Sequence, residues 1–227
     1  RLVPVTSVQV AGVSYRNLGE AGLAFLREWA DQGARARVPA TLNPAGIDLQ
    51  AWQELGFSES FARRQALVVE AYERLGVHPT CTCTPYLVGN KPGLGEHVAW
   101  AESSAVSYAN SVLGARTNRE GGPSAMAAAI TGRTAAYGLH LDEARRASLR
   151  VEVRCPVNTL SDCGALGYLV GKKAQNRIPF FVGLKPGLST RMNADLKALG
   201  AAMAASGAVA LYHVAGVQAL MAAIYGG

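Results

Sequence analysis

Apolar positions run through the chain in two rhythms, one of strands and one of helices. Residues 3–10 are rich in Val and Thr and end at Gly12, the composition of a strand entering a turn. Leu23, Leu26, Trp29 and Ala30 then recur at helical spacing over residues 20–32, with Gly33 as the stop. Residues 37–42 read as a second strand, and Asn43-Pro44-Ala45-Gly46 as a turn. Ser58 is placed to cap a helix whose inner face carries Phe61, Val68, Tyr72 and Leu75 and which Gly76 ends. A short strand is expected at 79–84. It is followed by a long helix over 96–113 with Val98, Ala101, Ala105, Tyr108 and Val112 inward, then another helix over 123–130. Strands at 149–153, 178–182 and 208–213 follow, with a helix capped by Ser189 that turns Met192, Leu196, Leu199 and Met203 inward. Strands alternating with helices predict an α/β fold of mainly parallel sheets flanked by helices. The polar, basic stretch 143–148 marks a possible sub-domain boundary near residue 148.

Composition narrows the function classes. With 227 residues, 49% hydrophobic and 17% charged, the chain is globular, which excludes disorder and collagen-like structure. The net charge of +6 is spread out, with adjacent basic residues only at Arg63-Arg64, Arg145-Arg146 and Lys172-Lys173. Nucleic-acid binders cluster such charge on one face, so no nucleic-acid partner is expected and a small anionic substrate fits better. The 4 cysteines show no CxxC spacing, which argues against a disulfide framework and for a reducing, cytoplasmic location. The first residues lack a signal-peptide pattern. The apolar tract 196–224 is interrupted by Lys197, Gly200, Ser206, Gly207, His213 and Gln218, so no membrane span is expected.

Three stretches carry candidate chemistry. Thr80-Cys81-Thr82-Cys83-Thr84-Pro85-Tyr86 places two thiols at the end of an expected strand, where α/β folds bind ligands. Thiolates suit iron–sulfur clusters or zinc, and two inert buried thiols are the plainer alternative. Glu102-Ser103-Ser104 and Asn110-Ser111 put carboxylate, hydroxyl and amide groups on the polar side of the expected helix. Residues 114–124 then join Arg116 and Arg119 to a Gly-rich helix start with Pro123 in its first turn, the makings of an anion site. Of His78, His97, His140 and His213, none at metal-ligand spacing, His140 is the one kept as a substrate-binding candidate. Asp162 and Cys163 read as a polar turn, with the edge of a site as the alternative. No GxSxG, Walker or GxGxxG pattern has a convincing context.

Three longer motifs carry a resemblance. They are Thr82-Cys83-Thr84-Pro85-Tyr86, the run Gly95-Glu96-His97-Val98-Ala99-Trp100-Ala101-Glu102-Ser103-Ser104-Ala105, and Tyr108-Ala109-Asn110-Ser111-Val112-Leu113-Gly114-Ala115-Arg116-Thr117-Asn118-Arg119-Glu120-Gly121-Gly122-Pro123-Ser124. Together they resemble the catalytic large domain of aconitase X, and the resemblance extends from Leu2 to the segment Leu211-Tyr212-His213-Val214. It implies an aconitase-superfamily-like fold and a hydro-lyase that uses an iron–sulfur cluster. Substrate candidates are cis-3-hydroxy-L-proline, ranked first, and mevalonate 5-phosphate. Cys83 matches the family cysteine and is the expected metal ligand. Glu102, Ser103 and Ser104 match the catalytic stretch, as Asn110, Arg116 and Thr117 match the substrate-binding one, with Ser111, Arg119 and His140 added from the residues themselves. The resemblance further implies a chain incomplete at both ends, other cluster ligands outside it, and a small, swivelling domain or subunit as partner. A truncated, non-catalytic anion-binding or assembly subunit is the alternative of another class.

Overall fold

The computed structural model describes residues 1–185 and 190–217. Strands β1 (Leu2–Pro4) and β2 (Val8–Val10) lead into helix α1 (Tyr15–Asp31), strand β3 (Ala40–Leu42) and helix α2 (Glu59–Arg74). Next come β4 (Ala99–Trp100), α3 (Ser103–Tyr108) running into a π turn over Ala109–Leu113, α4 (Gly122–Thr131) and β5 (Arg133–Ala135). The remainder is β6 (Leu149–Glu152), α5 (Leu160–Ala174), β7 (Pro179–Val182), α6 (Thr190–Gly207) and β8 (His213–Val214). These elements sort into two compact units: Arg1–Lys91, Ala99–Glu102 and Glu120–Ala135 form one, and Pro92–Val98, Ser103–Arg119 and the chain from Ala136 form the other. No helix among the described residues is long and apolar enough to cross a membrane.

In the first unit β2 is the middle strand of a parallel sheet ordered β3-β2-β4. Val8, Gln9 and Val10 are all fully buried, as a strand covered on both faces must be. Leu23, Leu26 and Ala30 of α1, Val68 and Tyr72 of α2, and Met126 and Ala129 of α4 complete the core around it. Each large apolar side chain so buried contributes roughly 1.5–3 kcal/mol. The Ser58 hydroxyl accepts from Phe61 N at 3.3 Å, and Gly76 leaves α2 with a φ of 81°, so both expected ends of this helix are in place. β1 pairs antiparallel with β5.

The second unit holds the parallel sheet β6-β7-β8. Helix α6 buries Met192, Leu196, Leu199 and Met203, the stripe expected from spacing, while its expected cap Ser189 lies outside the described residues. Helices α5 and α6 meet through glycine. A Cβ on Gly167 would stand 2.4 Å from the Leu199 carbonyl oxygen and 2.9 Å from Ala202 Cβ.

Four local expectations are corrected. Residues 79–84 are not a strand: Cys81 sits at a φ of 46° and the Thr82 hydroxyl accepts from Thr84 N, so the segment turns instead of extending. The helix expected over 96–113 begins only at Ser103, because Ala99 N donates to Ser7 O and Ala101 N to Gln9 O, drawing 99–100 into the sheet as β4. Residues 3–10 form two strands with different partners, not one. Asp162 and Cys163 lie in a helix: Thr159 Oγ1 accepts from Asp162 N, and the Asp162 carboxylate accepts from Asn158 N and Thr159 N, a reciprocal cap that starts α5.

Gly167→Ala separates two effects of opposite sign. Helix propensity alone stabilises the variant by about 1 kcal/mol, whereas the contact with the Leu199 carbonyl costs about 1–3 kcal/mol. Chemical denaturation is expected to show net destabilisation, and a variant more stable than the parent would contradict the packing described.

Candidate active site

The carboxyl ends of β2, β3 and β4 point into loops that carry the first set of candidate residues, the position where open α/β sheets bind ligands. Two buried amides hold these loops. Gln65 of α2 accepts from Tyr15 N at 3.0 Å and from Gly46 N at 3.1 Å, and donates to Val13 O at 2.9 Å, so one side chain ties the loop after β2 to the loop after β3. Gln9, inside β2, donates to Thr82 O at 3.1 Å and accepts from Glu102 N at 3.3 Å. Thr82 is further held by its own N–H to Leu42 O.

Cys83 follows Thr82 directly, and its side chain is exposed; burial of Sγ and the negative charge of Glu102 push the thiol above its ordinary range. Cys81, half-buried, is pushed up chiefly by burial. Cys83 suits a soft metal as a single thiolate donor. Among the described residues no three His, Cys, Asp or Glu side chains gather into a metal cage. The start of α4, expected to receive an external anion, carries a carboxylate of the chain itself. Ser124 Oγ donates to Glu120 Oε2 at 2.6 Å and accepts from Gly121 N at 3.0 Å, and Thr134 Oγ1 holds the other Glu120 oxygen at 3.1 Å.

The second unit gathers most of the expected substrate-binding residues around Arg116. Its backbone accepts from Val98 N and donates to Glu96 O, an extended pairing opposite His97. Its guanidinium donates to His140 O at 3.1 Å and forms an ion pair with Asp142, whose carboxyl it holds below the usual range. Asn110, in the π turn, uses its whole amide: Nδ2 donates to Thr117 O and Ala210 O, both at 2.9 Å, and Oδ1 accepts from Thr117 N at 3.0 Å and from Arg145 Nη1 at 3.1 Å. Arg145 also donates to Leu139 O and Asn110 O. Ser111 Oγ accepts from Tyr212 N at 3.0 Å. Arg119 is exposed, and Ser103 and Ser104 begin α3 half-buried.

His140 and His97 stack with ring centroids 5.1 Å apart and share a hydrogen bond of 2.9 Å between their Nδ1 atoms. Burial, His97, and the cations Arg145 and Arg116 push His140 down to about 4, and its buried Nε2 has no hydrogen-bond partner. His97 is lowered too, first by burial and then by Arg116 and Arg145. Arg145 itself falls to about 10 because it is half-buried beside Arg116. The result is a frame of two guanidiniums around two neutral imidazoles. Sequence reading kept His140, set His97 aside as an isolated histidine, and did not single out Arg145, Asp142, Gln9 or Gln65. No spacing signal marks the last four, since their partners lie 19 or more residues away except for the contact of Arg145 with Leu139.

The model of the aconitase X first domain matches residues 1–143, and that of the second domain matches residues 147–224. The phosphomevalonate dehydratase large subunit of Methanothermobacter thermautotrophicus is 62% identical over 218 residues, 96% of this chain and 53% of that protein. The cis-3-hydroxy-L-proline dehydratase of Pseudomonas aeruginosa is 39% identical over 220 residues, 96% of this chain and 37% of that protein. The crystal structure of Thermococcus kodakaraensis aconitase X in its holo-form superimposes with a TM-score of 0.85 at 53% identity, covering 95% of this chain and 53% of that one. The chain thus spans about half the length of the large subunits it matches.

A pH dependence of stability follows from His140. The folded chain keeps this imidazole neutral down to about 4, whereas an unfolded chain protonates it near ~6.5. Its contribution is therefore complete above pH ~6.5 and is lost as the pH falls from there toward 4, by up to about 3 kcal/mol. Urea unfolding of the parent and of His140→Gln across this window is expected to show a shallower pH slope in the variant; identical slopes would remove His140 as the titrating group.

Proposed function

Because the chain belongs to the aconitase X family, we propose that it forms the first two domains of the large subunit of a hydro-lyase, which removes water from a small, anionic hydroxy acid. The observation that carries this reading is the placement of Cys83 and Glu102 in loops at the carboxyl end of one parallel sheet, the carbonyl before Cys83 and the Glu102 N–H both bonded to the Gln9 amide. Cys83 gives the thiolate by which this part of the chain holds an iron–sulfur cluster, and the proton it carries in the free chain is released on metal binding. When bound, the cluster supplies a Lewis-acidic iron for the leaving hydroxyl. The Glu102 carboxylate moves a proton at the substrate, and orienting the substrate is the role proposed for the Ser103 and Ser104 hydroxyls.

The second unit contributes positive charge. Arg116 and Arg119 attract the carboxylate or phosphate of the substrate, while Asn110, Ser111, Thr117 and His140 fix the frame that carries them. Among substrates, mevalonate 5-phosphate now ranks first, supported by 62% identity to a phosphomevalonate dehydratase large subunit, and a small subunit is the partner that such a large subunit implies. The 39% identity to a cis-3-hydroxy-L-proline dehydratase supports that acid as the second reading, in reverse of the order expected from sequence.

The test is to express the natural polypeptide containing this chain with its small subunit, load it anaerobically with iron and sulfide, and follow water loss from both acids by NMR. Turnover of mevalonate 5-phosphate is expected, falling at least ~100-fold in Glu102→Gln and to background in Cys83→Ser. Turnover of hydroxyproline alone would reassign the substrate. Full activity in both variants would overturn the assignment of the site.

A further inference from the structure

A glutamine in the middle of a strand buried on both faces needs a reason. Val8 and Val10 already fill the core on either side of Gln9, and an apolar residue there would avoid the cost of burying an amide. Here the amide is satisfied by two backbone groups far apart in sequence: its Nε2–H₂ donates to the Thr82 carbonyl and its Oε1 accepts the Glu102 N–H. Thr82 immediately precedes Cys83, and Glu102 is the second residue past β4. The 79–84 segment has no strand ladder of its own, with Cys81 in the left-handed region, so its position depends on few bonds, the Thr82 N–H to Leu42 O and the Gln9 amide among them.

We infer that Gln9 is a positioning residue for the proposed dehydration, a single planar amide that sets the spacing between the Cys83 thiol and the Glu102 carboxylate. This rests on the assignment of Cys83 and Glu102 above. The task needs a donor and an acceptor on one rigid group at the reach of a glutamine. Methionine matches the length but has no N–H and only a weak acceptor, while asparagine keeps both groups and is one methylene too short to meet both partners. Because the same amide holds the carbonyl just before Cys83 and the Glu102 N–H, loosening the tie changes the access of Cys83 as well as the proton-transfer geometry.

The experiment compares parent, Gln9→Met and Gln9→Asn in the natural large subunit with its small subunit. Four quantities are read: melting temperature, hydrogen exchange of the Glu102 amide, rate of Cys83 alkylation by iodoacetamide in the metal-free protein, and the split of kcat from KM. Expected in the variants are a cooperative melt, Glu102 amide exchange faster by about tenfold or more, Cys83 alkylation changed several-fold, and a fall in kcat larger than any change in KM. Variants that melt lower yet keep parental Glu102 exchange and Cys83 alkylation would show a merely structural amide and overturn the inference. If neither variant folds, exchange of the Glu102 amide in the parent decides: protection equal to that of β4 supports the tie, and loop-like exchange refutes it. Should the parent itself fail to dehydrate either acid, the functional assignment falls, while alkylation and exchange still report on the tie.

Discussion

Strand β2 constrains everything around it. It is three residues long, has a parallel neighbour on each side, and is sealed on both faces, so none of its backbone or side-chain polar groups can turn to water. Val8 N donates to Pro39 O, Gln9 O accepts from Ala101 N and Val10 O from Asn43 N, and the one polar side chain, Gln9, is answered by Thr82 and Glu102. The loops that carry thiol and carboxylate are thereby hung from the most buried element of the first unit. A rigid support of this kind is what a reacting geometry requires, since sites fixed to strands hold their groups more closely than sites free in loops.

The second unit solves a different problem, that of keeping like charges together. Arg145 is half-buried beside Arg116, and the cost is offset by carbonyl oxygens of Leu139 and Asn110, by the Asn110 amide oxygen and by the Asp142 carboxylate on Arg116. The two imidazoles stay neutral and add no further charge. The outcome is a locally positive frame whose guanidiniums are held by hydrogen bonds of the chain itself.

Much of this was legible in the sequence and some was not. Capping and stop residues told the truth about α2, because Ser58 and Gly76 act through local backbone geometry. The stripe Met192, Leu196, Leu199 and Met203 told it for α6, because helical period and burial agree there. Residues 96–102 misled: Val98 and Ala101 continue a helical spacing, yet hydrogen bonds to Ser7 and Gln9 outweigh the period. The turn at Cys81 was hidden by the strand propensity of three threonines. The start of α5 was available in Thr159 and Asp162 at capping-box spacing and was read as a turn instead. Motif resemblance is what singles out Cys83, Glu102 and Arg116 as candidates, whereas Gln9, Gln65 and Arg145 act on partners so far along the chain that only the fold brings them to light.

Cys83 is the proposed point where this chain meets iron, with the carbonyl before it and the Glu102 N–H tied to one Gln9 amide. The most direct measurement is the anomalous scattering of iron in crystals of the whole large subunit with its small subunit, grown without oxygen. The account predicts an iron peak within bonding distance of Cys83 Sγ. An iron site held entirely by other residues, with Cys83 unbonded, would contradict it.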